Sequence, residues 1–261
     1  MSTRRLISAA IGLTLILSAK ASGGPGIRTP ELGLVRDGSG VLRPLAGIGG
    51  NFLLGDPVMT GVRALAAGEN QAIAVVGERL VVIRNGAVGP EMDAPTGIAL
   101  LGLDERGEGA VAVFPDAATV ALAGSAGWHK IPFEPPEGKI VAVASAARGA
   151  VLVLAVIGPD GLRLVRRLAA RRLTLGEEWV APGAAAACLL PERRLLYTDR
   201  GRLVLREPGG SEQWAPFSGE VEAMEPLGDE WVHIRTPGRP GFVVRVDGGH
   251  LDVYRLPEGR R

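Results

Sequence analysis

Short apolar runs separated by turn residues recur along most of the chain. Segment 62–90 carries VRALAAG, AIAVVG and RLVVIRNG, and segment 97–132 carries IALLGLD, AVAVFPD and TVALAG before Trp128. Segment 139–182 has IVAVAS, AVLVLAVIG, LRLVRRL and RRLTLG before Trp179. Segment 184–216 has AAAACLLPE, RRLLYTD and RLVLREPGG before Trp214, and segment 221–257 has VEAMEPLG, EWVHIRT, FVVRVDGG and LDVYRLP. Runs of about five to eight residues, rich in Val, Ile and Leu and bounded by Gly, Asp, Pro and Glu, predict β-strands. Several alternate: in 202–207, Leu203 and Leu205 face one way while Arg202, Val204 and Arg206 face the other. The stretch 162–175 (LRLVRRLAARRLTL) also fits an arginine-rich amphipathic helix. The matching segments elsewhere are strands, so the pattern favours a hairpin about Ala169-Ala170.

Four repeats end on an aromatic residue followed shortly by proline: Trp128 with Pro132, Trp179 with Pro182, Trp214 with Pro216, and Tyr254 with Pro257. Pro90 falls where a fifth ending would lie. The period of about 36 to 45 residues is close to that of a four-stranded propeller blade. An N-terminal unit, 32–37 with 41–47 and then Phe52 to Leu54, is shorter; it is either a blade of two or three strands or the completion of a blade begun at the C-terminus. The fold class predicted is therefore all-β, a β-propeller of about six four-stranded blades, with five or seven as alternatives. Innermost strands are expected at 62–67, 98–103, 140–145 and 184–190, where residues are small and apolar on both faces. Asp37-Gly38, Asn85-Gly86 and Asp247-Gly248 are tight-hairpin signals.

Composition fits this picture and narrows the chemistry. Of 261 residues 46% are hydrophobic, which excludes intrinsic disorder. The 38 glycines and 19 prolines are spread along the chain, as punctuation of many short elements. One cysteine, Cys188, excludes a disulfide framework and a cysteine-based zinc site. A formal charge of +1 argues against an electrostatic nucleic-acid binder.

Residues 1–21 have the three parts of a secretory signal peptide: Arg4 and Arg5, an apolar run Leu6 to Leu17, and the small-x-small site Ala19-Lys20-Ala21. Lys20 interrupts the run too early for a bilayer span, which takes about 20 apolar residues. Cleavage after Ala21 removes three cations and no acid, taking the formal charge from +1 to −2. Residues 22–30 then form a short linker and 31–258 a single propeller domain, exported to the periplasm or cell exterior. The Arg4-Arg5 pair leaves general and twin-arginine export both open.

Over residues 30–258 the chain resembles the broad superfamily of bacterial exported β-propellers with WD40, YVTN-type and quinoprotein-like repeats. The resemblance rests on period and strand pattern. The opening 33–55 (GLVRDGSGVLRPLAGIGGNFLLG) also resembles the start of uncharacterised exported propeller-like proteins of soil bacteria. The chain lacks the Trp-Asp ending with its upstream Gly-His, the Tyr-Val-Thr-Asn motif, the Asp-box and the tryptophan docking motif. No cofactor or catalytic residue of those families is implied.

Individual residues add no chemistry by pattern. The three histidines, His129, His233 and His250, lie in different blades, and no HExxH spacing exists. His233 alternates with Trp231 and Arg235 on one strand face. Ser39, Ser125, Ser145, Ser211 and Ser218 lie in turns or small-residue strands and none in a Gly-x-Ser-x-Gly elbow. Gly47-Ile48-Gly49-Gly50 opens no helix and reads as a connection between blades. Asp37, Asp104, Asp116, Asp199 and Asp247 read as turn caps. Arginine supplies 26 of the 29 basic residues, Lys20, Lys130 and Lys139 being the lysines. The group Arg163, Arg166, Arg167, Arg171 and Arg172 suits charged sheet edges better than an anion site. Trp128, Trp179 and Trp214 read as packing between blades.

No catalytic residue, metal ligand or cofactor is therefore expected. The function expected is a non-catalytic binding or scaffold module, a monomer whose partner is a protein, peptide or small molecule, with neither nucleic acid nor membrane involved. Two alternatives stand beside it: a hydrolase or lyase with a central-channel site, and a cell-envelope assembly factor binding extended peptides.

Overall fold

The computed structural model describes residues 31–257 apart from 69–70, 85–86, 105–108, 125–126, 147–148, 170–172, 238 and 249. The leader and linker expected over 1–30, the turn expected at Asn85-Gly86, Ser125, Ala170, Arg171 and Arg172 thus lie outside the described residues.

Six antiparallel sheets follow one another as propeller blades, one of three strands and five of four. Blade I holds β1 (Glu31–Arg36), β2 (Leu42–Ile48) and β3 (Asn51–Leu54). Blade II holds β4 (Val62–Ala67), β5 (Gln71–Val76), β6 (Arg79–Arg84) and β7 (Ala87–Asp93). Blade III holds β8 (Leu100–Leu103), β9 (Ala110–Phe114), β10 (Thr119–Gly124) and β11 (Gly127–Pro132). Blade IV holds β12 (Lys139–Ala146), β13 (Val151–Gly158), β14 (Gly161–Leu168) and β15 (Thr174–Ala181). Blade V holds β16 (Ala184–Leu189), β17 (Leu195–Asp199), β18 (Arg202–Arg206) and β19 (Glu212–Pro216). Blade VI holds β20 (Ala223–Pro226), β21 (Trp231–Thr236), β22 (Arg239–Asp247) and β23 (His250–Arg255). Within the 162–175 stretch the described residues 162–168 and 174–175 lie in the antiparallel pair β14 and β15, and the aromatic–proline endings coincide with the outermost strands.

The core is a set of seams between blades, because each middle strand is covered on both sides. In β18, Leu203 and Leu205 pack toward blade VI with Met224, Val232 and Ile234. Val204, which points the other way, packs toward blade IV with Ala155, Leu162 and Ala184. The same logic buries all five residues of β9. Burial of this apolar surface is the main stabilising contribution, at about 25 cal/mol per Å² removed from water.

The innermost strands β4, β8, β12, β16 and β20 surround the axis in that order. Blade I contributes no such strand among the described residues. Its β1 passes Leu227 at Gly33 and reaches Glu225 at Arg36, so it runs opposite to β20, in the direction of a second strand. The inner ring closes directly from blade VI to blade II by a parallel bridge of Ala67 with Leu227, where Gly228 N donates to Ala67 O at 3.0 Å.

Blade I is a sheet of its own, so the N-terminal unit does not complete a C-terminal blade. Its seam with blade VI is aromatic instead. Phe52 stands edge-on to Trp231 (5.9 Å between centroids) and to Tyr254 (5.4 Å). Gly47 to Gly50 is not a connection between blades but the β2–β3 hairpin, with Gly49 and Gly50 at φ of 44° and 92°. Two consecutive positive φ angles match the right-handed twist of a two-residue hairpin, which glycine permits without steric cost.

Candidate functional site: the central channel

All five inner strands run the same way, so the channel has an upper mouth where they begin and a lower mouth where they end. Leu101, Val143, Leu189 and Pro226 line both the upper and the lower cavity and form an apolar waist between them. Here β8 and β12 approach closely: a Cβ on Gly102 would lie 2.1 Å from Val143 O. That contact fixes glycine at the waist.

The upper cavity, about 540 Å³, has walls of small apolar residues, among them Ala99, Val141, Ala185 and Ala223. Its ionisable lining is Arg36, Arg63, Lys139, Arg235, Glu222 and Glu225, with Cys188. On the blade I side, Arg36 donates to Glu225 Oε1 from a terminal nitrogen (2.5 Å) and from Nε (3.2 Å). Glu225 Oε2 lies 3.7 Å from His233 Nδ1. Burial alone raises the Glu225 carboxyl, but His233 and Arg36 together outweigh it and hold the group below its ordinary value. Burial, reinforced by the Glu225 charge, pushes the Cys188 thiol far up, so it is a packed apolar residue and not a thiolate. Arg235 lies 3.3 Å from Glu222 and keeps a buried Nε without a hydrogen-bond partner.

Arg63 is held differently. Its guanidinium donates to three carbonyls, of Gly77 (3.1 Å), Pro95 (3.0 Å) and Gly97, clamping the connection from blade II to blade III. Arg163 and Arg167 grip the carbonyls of Glu137 and Glu134 in the connection from blade III to blade IV. Arg163 and Arg167 therefore tie blade IV to the connection that precedes it, while Arg166 pairs with Glu178 within the blade. The forked guanidinium suits this because it reaches several acceptors at once.

The lower cavity, about 340 Å³, is flanked by an ionic ladder between blades IV and V. Glu178 lies 3.8 Å from Arg166 and 2.7 Å from Arg206, and Arg206 continues to Glu212 at 3.0 Å. Hydrogen bonding to Glu178, aided by Glu212, raises the Arg206 guanidinium above its ordinary value. Tyr197 donates to Glu212 at 2.9 Å, and burial together with that bond moves its hydroxyl far up. Asp104 and Ser145 meet in a parallel bridge on this wall. Asp104 is thus part of the channel, although its sequence position suggested a simple turn cap. Ser145 Oγ is buried and has no hydrogen-bond partner.

The remaining candidates disperse. His129 and His250 are exposed on outer strands, while His233 is 4% exposed. Among the described residues no group of three or more His, Cys, Asp or Glu side chains is placed to hold a metal ion. Ser39 caps the Asp37 turn, its N and Oγ donating to Asp37 Oδ1 at 2.9 and 2.6 Å. Trp128 does join two blades, its Nε1 donating to Pro90 O at 3.0 Å. Trp179 and Trp214 do not: they are 55% and 57% exposed, lying under Arg163 and Arg202 on outer strands.

The innermost strands expected from sequence do not include β20, which carries Glu225, although its run reads as a strand. The signal was present in VEAMEPLG (221–228), which opens its repeat where the other repeats open on inner strands. No helix among the described residues is long and apolar enough to cross a membrane.

No family model and no curated protein matches the chain. Solved structures do. A nidogen/laminin complex superposes with a TM-score of 0.59 at 10% identity, covering 86% of this chain and 93% of that one. A streptogramin B lyase gives 0.50 at 13% identity over 76% and 70% of the two chains. A virginiamycin B lyase from Staphylococcus aureus gives 0.50 at 9% identity over 88% and 86%. At such identities the likeness establishes the β-propeller fold and carries no chemistry across.

Proposed function

We propose that this chain is an exported, non-catalytic β-propeller, a single domain over residues 31–258 released by cleavage near Ala21, that binds a small ligand in the upper half of its channel. The upper cavity carries this reading. It is open, its lining combines small apolar residues with charged side chains, and it is the larger of two channel cavities that both fall in the range of small-molecule sites, about 300–1,000 Å³. Its acids are engaged, Glu225 with Arg36 and His233 and Glu222 with Arg235, so they shape a field and do not present a free acid–base pair. A hydrolase or lyase would draw on Ser145 or Glu225; Ser145 is 2% exposed, and Glu225 is engaged by Arg36 and His233. Strand addition is disfavoured at the longest outer strand, β15. That edge is interrupted by two bulges and carries Glu177 and Glu178, devices that discourage pairing.

The test is a panel of small fluorinated fragments screened by ligand-detected 19F NMR against the mature chain and an Ala185→Trp variant. Ala185 is exposed on the channel wall, so the indole fills the upper cavity without disturbing a seam. Fragments that bind the parent are expected to be lost from the variant. Retention of all of them by the variant would overturn channel binding.

A further inference from the structure

The upper cavity is unevenly charged around its rim. The blade VI side is balanced, because Glu225 faces Arg36 and Glu222 faces Arg235. Across the channel stand Arg63 at the start of β4 and Lys139 at the start of β12, flanking the β8 sector between them. Arg63 is bound to carbonyls, which fix its position and leave its full positive charge in place. Asp116 is the acidic group behind this sector. Its Oδ2 accepts from Ile98 N at 3.0 Å, and it does not line the cavity. Below the rim the wall turns apolar, through Ala99 and Val141 to the waist at Leu101 and Val143. Unbalanced charge above a low-dielectric wall focuses the field on the mouth and favours an anion there.

We propose, resting on the channel-binding reading above, that the upper mouth is specific for an organic anion, a carboxylate or phosphate monoester with a short apolar tail. The head sits in the β8 sector between Arg63 and Lys139. The tail lies along the alanine-lined wall toward the waist, which stops it. Arg63 acts as a fixed charge, Lys139 as an adjustable donor on a flexible stem. The waist separates this site from the lower cavity, where the described lining holds Asp104, Glu178, Glu207 and Asp229 against Arg166, Arg193 and Arg206.

The experiment is isothermal titration of the mature chain with hexanoate, hexyl phosphate, hexanol and hexylammonium, repeated on Lys139→Glu and Ala185→Trp variants. Lys139 is exposed at a strand start, and an unchanged melting midpoint confirms that its variant folds. Both anions are expected to bind more tightly than hexanol, with hexylammonium weakest. The tighter of the two identifies the head group. Lys139→Glu is expected to weaken the anions about tenfold and to narrow their advantage over hexylammonium, and raising salt is expected to weaken them further. Equal binding of hexanol and hexanoate, unaffected by Lys139→Glu, overturns the anion site while leaving channel binding intact. Anion binding that survives Ala185→Trp overturns both. Absence of binding by either anion, with fragments still captured in the upper cavity, overturns the anion site alone.

Discussion

The two mouths of the channel are each bridged by an ion network joining neighbouring blades, and the two networks differ in burial. At the upper mouth, Arg36 and Glu225 join blades I and VI with side chains 12% and 11% exposed. At the lower mouth, Arg166, Glu178, Arg206 and Glu212 join blades IV and V with side chains 23% to 43% exposed. Bond for bond they look alike, yet water screens the lower ladder and is excluded from the upper pair. The buried network joins blade I, which has no inner strand among the described residues, to β20; the exposed one edges a seam already sealed by Ala155, Leu162, Ala184 and Leu195. Deleting one partner should therefore have unequal consequences.

Glu225→Ala leaves the Arg36 guanidinium in the wall without its carboxylate. A loss of about 3–5 kcal/mol in urea-denaturation stability is expected; a loss under about 1 kcal/mol would show that solvent reaches this pair as it does the lower ladder. The same group sets an acid limit. Because its folded-state pKa is lowered, its contribution is complete above the ordinary glutamate value of about 4.3 and fades as pH falls through the lower folded value. The difference in stability between parent and Glu225→Gln should shrink over that acidic interval. Phe52→Ala probes the apolar part of the same seam, where the ring meets Trp231 and Tyr254. It should cost about 3–4 kcal/mol by the same assay.

Between the mouths, Gly102→Ala pushes a methyl against Val143 O and should destabilise by about 1–3 kcal/mol. A neutral result in thermal melts would mean that β8 and β12 can part at the waist. Glu178→Ala removes the centre of the lower ladder, but Arg206 keeps Glu212. Its cost should stay below about 1 kcal/mol and vanish in 0.5 M salt.

Much of the fold was legible because blade packing is periodic and local. Alternation in 202–207, the hairpin in 162–175 and the aromatic–proline endings all reflect strands covered from two sides at regular spacing. The closing seam was not legible, because Arg36 and Glu225 are 189 positions apart and no local pattern links them. The run of β20 reads as a strand but not as an innermost one, since only Ala223 to Pro226 is strand and a glutamate and a proline break its apolar character. The face of His233 followed from alternation, but its burial depends on the packing against Gly241, where a Cβ would come within 2.9 Å of Nε2. Trp179 and Trp214 misled because a recurring tryptophan signals a repeat boundary without saying which side of the outer strand is covered.

The most direct measurement is a methyl-resolved NMR titration of the mature chain with hexanoate. Shifts are expected at the upper-cavity methyls of Ala99, Val141, Ala185 and Ala223, saturating together, with the lower-cavity methyls of Val153, Leu164 and Leu195 unmoved. Shifts confined to the lower group, or none in either, would contradict an anion site at the upper mouth.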